Sequence, residues 1–529
     1  MHISSLPSPY GVGTLGKAAR DFADFLEKAG QSYWQTLPIC PTSYGDSPYQ
    51  SYSTYAGNPY FIDLDLLEHE GLLHKEEFVD TDWDSAPDQI NYGALYEKRF
   101  PILRKAAARF QKRLMAPGNM KQIGDSYKNI DSDNSKNADG DKSHAGEYRS
   151  WKSSGYHVEG YRSFCQENAF WLDDYAVYMT LKGLHGGSSF MDWELPYRSR
   201  DPEAINRVRT EYAGELEFWK ILQFFFFTQW HDLHAYCGSK GIAIIGDMPF
   251  YVALDSVDVW AHPELFLLDE DLVPVEIAGV PPDGFSENGQ LWGNPVYRWE
   301  EHKKTGYKWW IQKIDYLCRE YDVLRIDHFR GFDSYYTVPY EAETARGGRW
   351  NPGPGKELFE ALNKAIGPQR IIAEDLGYTT PAVKQLLTDT GFPGMKILQF
   401  GFDERDESSP DHRPHTYPVN CVAYTGTHDN DTLQGWMENA PAENIAFAKD
   451  YLRLYDPDNY HWDMIKALYT TPAAVTIVQM QDILGLGSDC RMNVPSTMGG
   501  NWCWRMKDGM LDDALAGKLK SVTKLYERG

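Results

Sequence analysis

The 529-residue chain holds only seven cysteines, an odd number without a Cys-x-x-Cys pair, which excludes a disulfide framework and does not match zinc spacing. They read as reduced, mostly buried small side chains. No run of 18 apolar residues occurs, and Met1-His2-Ile3-Ser4-Ser5-Leu6-Pro7 lacks a basic segment leading into an apolar one. Neither a membrane span nor a secretory signal is expected, so the expectation is a soluble, cytoplasmic protein. Basic residues are also in deficit: 52 Lys and Arg stand against 76 Asp and Glu, net −24. Without a basic run, nucleic acid and anionic membrane are excluded as partners, because phosphate neutralisation needs clustered cations. The expected assembly is a monomer or weak homo-oligomer.

Aromatics are plentiful, with 17 Trp and 34 Tyr. They serve core packing first, and sugar-ring stacking where they reach a surface. Short apolar runs recur at helix-length separations: 33–39, 242–245, 323–326, 371–373, 397–400, 422–424 and 475–478. Amphipathic stretches such as 17–29 and 356–365 lie between them, which predicts parallel strands with helical crossovers. Seven strands are legible and an eighth is not. The predicted architecture is α/β, a single (β/α)8 TIM barrel over residues 1–529 with insertions, its first strand truncated at the N-terminus. Residues 61–230 are expected to form a largely helical inserted subdomain, in which the run Phe224–Phe227 reads as packed core. The polar stretch 117–155 reads as a disordered insertion. Its Asp131, Asp133, Asp139 and Asp141 only faintly suggest a calcium loop, because Gly146 falls where the bidentate Glu belongs.

Three acidic residues follow apolar runs: Asp327 in Leu324-Arg325-Ile326-Asp327-His328, Glu374 in Ile371-Ile372-Ala373-Glu374-Asp375, and Asp429 in Tyr424-Thr425-Gly426-Thr427-His428-Asp429. A barrel places catalytic groups at such C-terminal strand ends. One such acid is more often a turn or helix cap; three suggest glycosidic chemistry. That chemistry needs an acid for the leaving oxygen and a carboxylate for the anomeric carbon. A third carboxylate can grip sugar hydroxyls more strongly in the transition state. Arg325, two residues before Asp327, shares its strand face and is expected to keep it ionised. Glu374 follows an apolar strand with Asp375 beside it, and a partly desolvated Glu near another carboxylate is expected to have its pKa raised toward that of a proton donor. His428 could donate to a sugar hydroxyl.

Longer motifs accompany these residues. They are Ser4-Ser5-Leu6-Pro7-Ser8-Pro9-Tyr10-Gly11, Gly45-Asp46-Ser47-Pro48-Tyr49-Gln50-Ser51, Gly289-Gln290-Leu291-Trp292-Gly293-Asn294-Pro295, and Arg491-Met492-Asn493 with Gly500-Asn501-Trp502. On them, and across nearly everything outside 117–155, the chain resembles the 4-alpha-glucanotransferases of the alpha-amylase clan, known as amylomaltase or disproportionating enzyme. The resemblance implies Asp327 as nucleophile, Glu374 as acid/base and Asp429 as third carboxylate. It adds Asp247, Arg325 and His428 around the −1 sugar, Tyr49 stacked on that sugar, and a mobile active-site loop at 279–299 carrying Trp292 as a glucan platform. Neither cofactor nor metal is required. The expected partners are alpha-1,4-glucans, maltooligosaccharides and glucose. The chain departs from the family at Gly284, where a side chain is common, and at its start, where a Leu-rich first strand is usual; without that strand the next one is an open edge.

The implied activity is transfer of alpha-1,4-glucan segments by retaining double displacement. Two alternatives remain at this stage: a hydrolase of the same clan, and a non-catalytic glucan binder. Products formed from maltotriose separate all three.

Overall fold

The computed structural model describes residues 1–116, 155–282, 286–377, 380–403, 408–497 and 499–529. Residues 117–154, Gly284 and the faint calcium-like aspartates therefore lie outside the described residues. Seven short parallel strands build the central wall. Four form one sheet in the order β1 (Tyr33–Gln35), β2 (Ala243–Met248), β5 (Val323–Ile326), β8 (Ile371–Ala373). Three more, β9 (Gly394–Ile397), β10 (Cys421–Tyr424) and β11 (Val475–Ile477), form a second. The two join where the Ala373 N–H donates to the Pro393 carbonyl, 2.9 Å. Every pairing is parallel, and helices such as Ala213–Ser239, Lys308–Glu320 and Lys356–Ile366 cross between strands. This is the wall of a (β/α)8 barrel. Among the described residues no eighth strand joins it: β1 and β11 face one another across a cavity of about 140 Å³ lined by Met1, Tyr33–Gln35 and Val475–Ile477.

Two strands differ from the sequence reading. The expected strand at 397–400 lies three residues earlier, at Gly394–Ile397, and Gln399–Phe402 is a 3₁₀ turn. Lys396 interrupts the apolar pattern there, while Gly394 supplies the close approach that an apolar count cannot reveal: a Cβ on it would lie 2.8 Å from the Asp375 carboxylate. The strand at 33–39 stops at Gln35, short of Pro38, which has no N–H to give a ladder.

A four-stranded antiparallel sheet, absent from the sequence reading, runs in the order β4 (Gln290–Pro295), β3 (Glu276–Val280), β6 (Ser334–Pro339), β7 (Arg349–Pro352). It takes in both flanks of the stretch read as a loop at 279–299, residues 279–280 and 290–295. The two-residue alternation of Gln290-Leu291-Trp292-Gly293 suits a strand, and Gly289 permits the turn into it. Its φ is +68°, and a Cβ would lie 2.4 Å from the Val280 carbonyl oxygen.

Between Pro59 and Trp230 the described residues hold helices and turns, the longest being Tyr92–Leu114, Ala169–Leu184 and Ala213–Ser239. The last is apolar all round and correspondingly buried, with Phe224–Phe227 in the core. Two of its glutamines fix the chain beyond the Tyr49 loop. Gln223 pairs its amide with the N–H and carbonyl of Gly57 (2.7 and 3.0 Å), and Gln229 does the same with Asp63 (2.6 and 3.1 Å). All seven cysteines are free. Among the described residues no helix is long and apolar enough to cross a membrane.

Candidate active site

Asp247 lies near the end of β2 and Arg325 lies opposite it in register on β5. Both are buried, and one Arg325 guanidinium nitrogen lies 2.7 Å from each Asp247 carboxylate oxygen. The other terminal nitrogen lies 3.1 Å from Asp327 Oδ1, just past the end of β5. Burying these charges is tolerable because each is paired. The Tyr49 hydroxyl donates to Asp247 Oδ2 at 2.7 Å. Its ring stacks on the imidazole of His428, with centroids 4.8 Å apart and planes inclined by 24°.

The Tyr49 loop is shaped locally. The Ser47 hydroxyl accepts from the Tyr49 N–H at 3.2 Å, and Asp46 sits at φ +60°. Gln50 reaches across to Asn294 at 3.2 Å, tying this loop to the end of β4.

Glu374 follows β8 and is clasped by two backbone donors: the His328 N–H to Oε2 and the Leu376 N–H to Oε1, both 2.7 Å. His328 can present its N–H in this way because it adopts a left-handed conformation, φ +49°. Trp292 on β4 meets the same His328 edge-on, with centroids 5.0 Å apart. Asp429, beyond β10, lies 3.3 Å from His428 Nε2 and accepts from Asn493 Nδ2 at 2.6 Å.

The eight residues singled out from the sequence thus form one connected set: Tyr49, Asp247, Trp292, Arg325, Asp327, Glu374, His428 and Asp429. Two members were missed. His328 aims a backbone donor, a role no side-chain pattern reveals. Asn493 stood within a recognised motif, but only folding brings it to Asp429 across 64 positions.

The carboxyls are tuned apart. Burial raises Glu374 to about 7, reinforced by the charge of Asp327 and opposed by Arg325 and the two N–H donors. Burial likewise raises Asp327, to about 6, against the pull of Arg325. Arg325 favours the ionised form of Asp327, as expected, but desolvation outweighs it. Glu374 is raised by desolvation, as expected, but the second carboxylate acting on it is Asp327 rather than Asp375, whose carboxylate turns away to accept the Met395 N–H at 2.7 Å. At Asp429 desolvation opposes ionisation, but neighbouring His428 and the hydrogen bonds from His428 and Asn493 prevail, holding the carboxyl at about 2. His428 rises in turn, because the pull of Asp429 exceeds its own desolvation. One group near neutrality beside carboxylates that ionise more readily is the arrangement of an acid/base with charged partners. Among the described residues, no group of three or more His, Cys, Asp or Glu side chains is placed to hold a metal ion.

The comparisons with known proteins bear on the family and the fold. The family model described as 4-alpha-glucanotransferase matches residues 1–134 and 142–512. The 4-alpha-glucanotransferase of Clostridium butyricum is 43% identical over 530 residues, covering 100% of both chains. That of Thermus thermophilus is 40% identical, covering 100% of this chain and 98% of its own. Among solved structures, an amylomaltase from Streptococcus agalactiae in complex with acarbose superposes with a TM-score of 0.89 at 40% identity, covering 100% of this chain and 98% of that one. An amylomaltase from Corynebacterium glutamicum, 18% identical with a TM-score of 0.70, covers 100% and 73% and shares the fold. With a carboxylate cluster at the strand ends of a (β/α)8 barrel, and relatives of this similarity along its whole length, the chain belongs to the 4-alpha-glucanotransferase family.

Proposed function

We propose that the protein transfers alpha-1,4-glucan segments from a donor maltooligosaccharide to the 4-hydroxyl of an acceptor glucan or glucose, with retention at the anomeric carbon. The observation that carries this reading is the Asp327–Glu374 pair, one carboxyl clasped by Arg325 and the other raised to about 7. Asp327 attacks the anomeric carbon while Glu374 protonates the departing oxygen, leaving a glucosyl ester on Asp327. Glu374, now a base, takes the proton of the incoming 4-hydroxyl, whose attack on the same carbon releases Asp327. Asp247, Tyr49 and His428 line the −1 sugar, with Asp429 gripping its hydroxyls more strongly as the ring flattens. Trp292, next to His328, covers the acceptor side. Transfer prevails over hydrolysis when a bound acceptor is oriented for attack and water is kept out.

The test is incubation with maltotriose, resolving products by length. Glucose plus a ladder of longer maltooligosaccharides, at constant total reducing ends, is the expected result. Rising reducing ends with only shorter products would make this a hydrolase, and unchanged maltotriose would leave only binding.

A further inference from the structure

His428 and Asp429 sit on the loop 426–432, between β10 and the helix Leu433–Asn439. A single carboxylate spans the two roots of that loop. Asp482, fully buried on the short helix Met480–Ile483, accepts the Thr425 hydroxyl on Oδ2 at 2.6 Å. It accepts the Leu433 N–H on Oδ1 at 2.7 Å. Thr425 is the residue before the loop and Leu433 the residue after it, so the carboxylate fixes the distance between its ends. The tip is held separately: the Asn493 N–H donates to the His428 carbonyl at 3.1 Å, and Asn493 Nδ2 to the Asp429 carboxylate. Within the loop, Asn430 Oδ1 accepts the Thr427 N–H at 2.8 Å, and Gln399 donates to the Asp431 carbonyl at 2.7 Å. Among the described residues Asp482 has no ion-pair partner, and nothing in the mechanism above uses it. A buried carboxylate without a cation is expensive to keep. Its two oxygens meet two donors that belong to opposite ends of one functional loop.

We propose that Asp482 is a positioning residue for glucan transfer: by joining Thr425 to Leu433 it sets the placement of His428 and Asp429 against the sugar in the transition state. The inference rests on the role given above to Asp429. A sub-ångström displacement of a group that acts mainly in the transition state lowers kcat more than it raises KM. An amide can imitate the clasp, its oxygen facing the Leu433 N–H and its nitrogen donating to the Thr425 hydroxyl, which turns to accept. An alanine can do neither.

The experiment measures maltotriose disproportionation by the wild type, Asp482→Ala, Asp482→Asn, Thr425→Val and Asp429→Asn, and by the Asp429→Asn/Asp482→Ala double variant. Thermal unfolding is followed for each. The expected result is a fall in kcat of about 100-fold for Asp482→Ala with KM within a few-fold, recovery to within about tenfold by Asp482→Asn, and an intermediate value for Thr425→Val. Asp482→Ala should then cost clearly less once Asp429 is already changed, because part of its effect passes through Asp429 and only the part through His428 remains. A full multiplicative loss in the double variant, or an Asp482→Asn defect equal to that of alanine, would overturn the inference. Should Asp482→Ala fold poorly, Thr425→Val with Asp482→Asn carries the same test. Near-normal kcat in Asp429→Asn would instead overturn the role of Asp429 from which the inference starts.

Discussion

Asp247 and Arg325 face each other across the β2–β5 ladder, and both oxygens of the carboxylate lie 2.7 Å from one guanidinium nitrogen, which leaves the other terminal nitrogen for Asp327. Asp247→Asn therefore changes two things. Arg325 keeps only Asp327 as a charged partner, so the buried network weakens, by about 3 kcal/mol at the lower end of the range for a broken buried pair. The negative charge that pushes Asp327 upward also disappears, so the acidic limb of the activity profile moves to lower pH. Under the role proposed for Asp247 at the −1 sugar, a sugar contact is lost as well, lowering kcat/KM by about 100-fold. Chemical denaturation and pH-dependent initial rates check both parts, and an acidic limb that stays in place would break the electrostatic link.

Trp292 is half-buried on β4 with its ring against His328, the residue that follows Asp327. If it supports the acceptor, Trp292→Ala should raise the KM for glucose as acceptor by about tenfold, the worth of an aromatic contact of about 1.4 kcal/mol. Donor cleavage should fall less, and the share of hydrolysis should rise as the acceptor is held less well. Acceptor competition assays with a fixed donor read both quantities; an unchanged acceptor KM would remove Trp292 from the acceptor side.

Gly246 precedes Asp247 on β2, and a Cβ there would lie 2.3 Å from the buried Tyr321 ring. Gly246→Ala cannot be relieved by moving an exposed side chain, so it should destabilise the fold by about 1–3 kcal/mol and disturb Asp247 with it. The readout is the denaturant midpoint at constant slope. A midpoint equal to that of the parent would mean that Tyr321 has room the structure does not show.

The acids were legible because each follows an apolar run, a pattern that survives without knowledge of strand pairing. Arg325 and Asp327 were placed on one face by their two-residue spacing. That Arg325 pairs first with Asp247 depends on the register of β2 against β5, which no local pattern contains. The same limit explains why the local pattern points to Asp375, rather than Asp327, as the carboxylate that joins desolvation in raising Glu374. Asp375 is adjacent in sequence, but consecutive strand-end side chains diverge, and Asp375 spends its carboxylate on Met395. The antiparallel sheet was missed because each of its strands carries Gly or Pro and they are dispersed between 276 and 352. Its hairpin was read as loop on the strength of motif alone. Asn493 and Asp482 reach the loop 426–432 only through the closing turn of the barrel.

The opposing requirements on Glu374 and Asp327 define the pH profile. Glu374 must carry a proton to release the leaving chain, so kcat/KM falls as pH rises through its raised value, about 7. Asp327 must be ionised to attack, so activity falls as pH drops through about 6. The prediction is a bell whose acidic limb lies above the ordinary carboxylate range, the two limbs belonging to the interacting pair. Glu374→Gln should lower the first step by several orders of magnitude for donors with a poor leaving group, and far less for an activated aryl glycoside that needs no proton. Its residual activity should lose the alkaline limb and keep the acidic one. Asp327→Asn should abolish turnover of both substrate kinds, since no ester can form. A Glu374→Gln variant that retains the alkaline limb would show that another group supplies the proton.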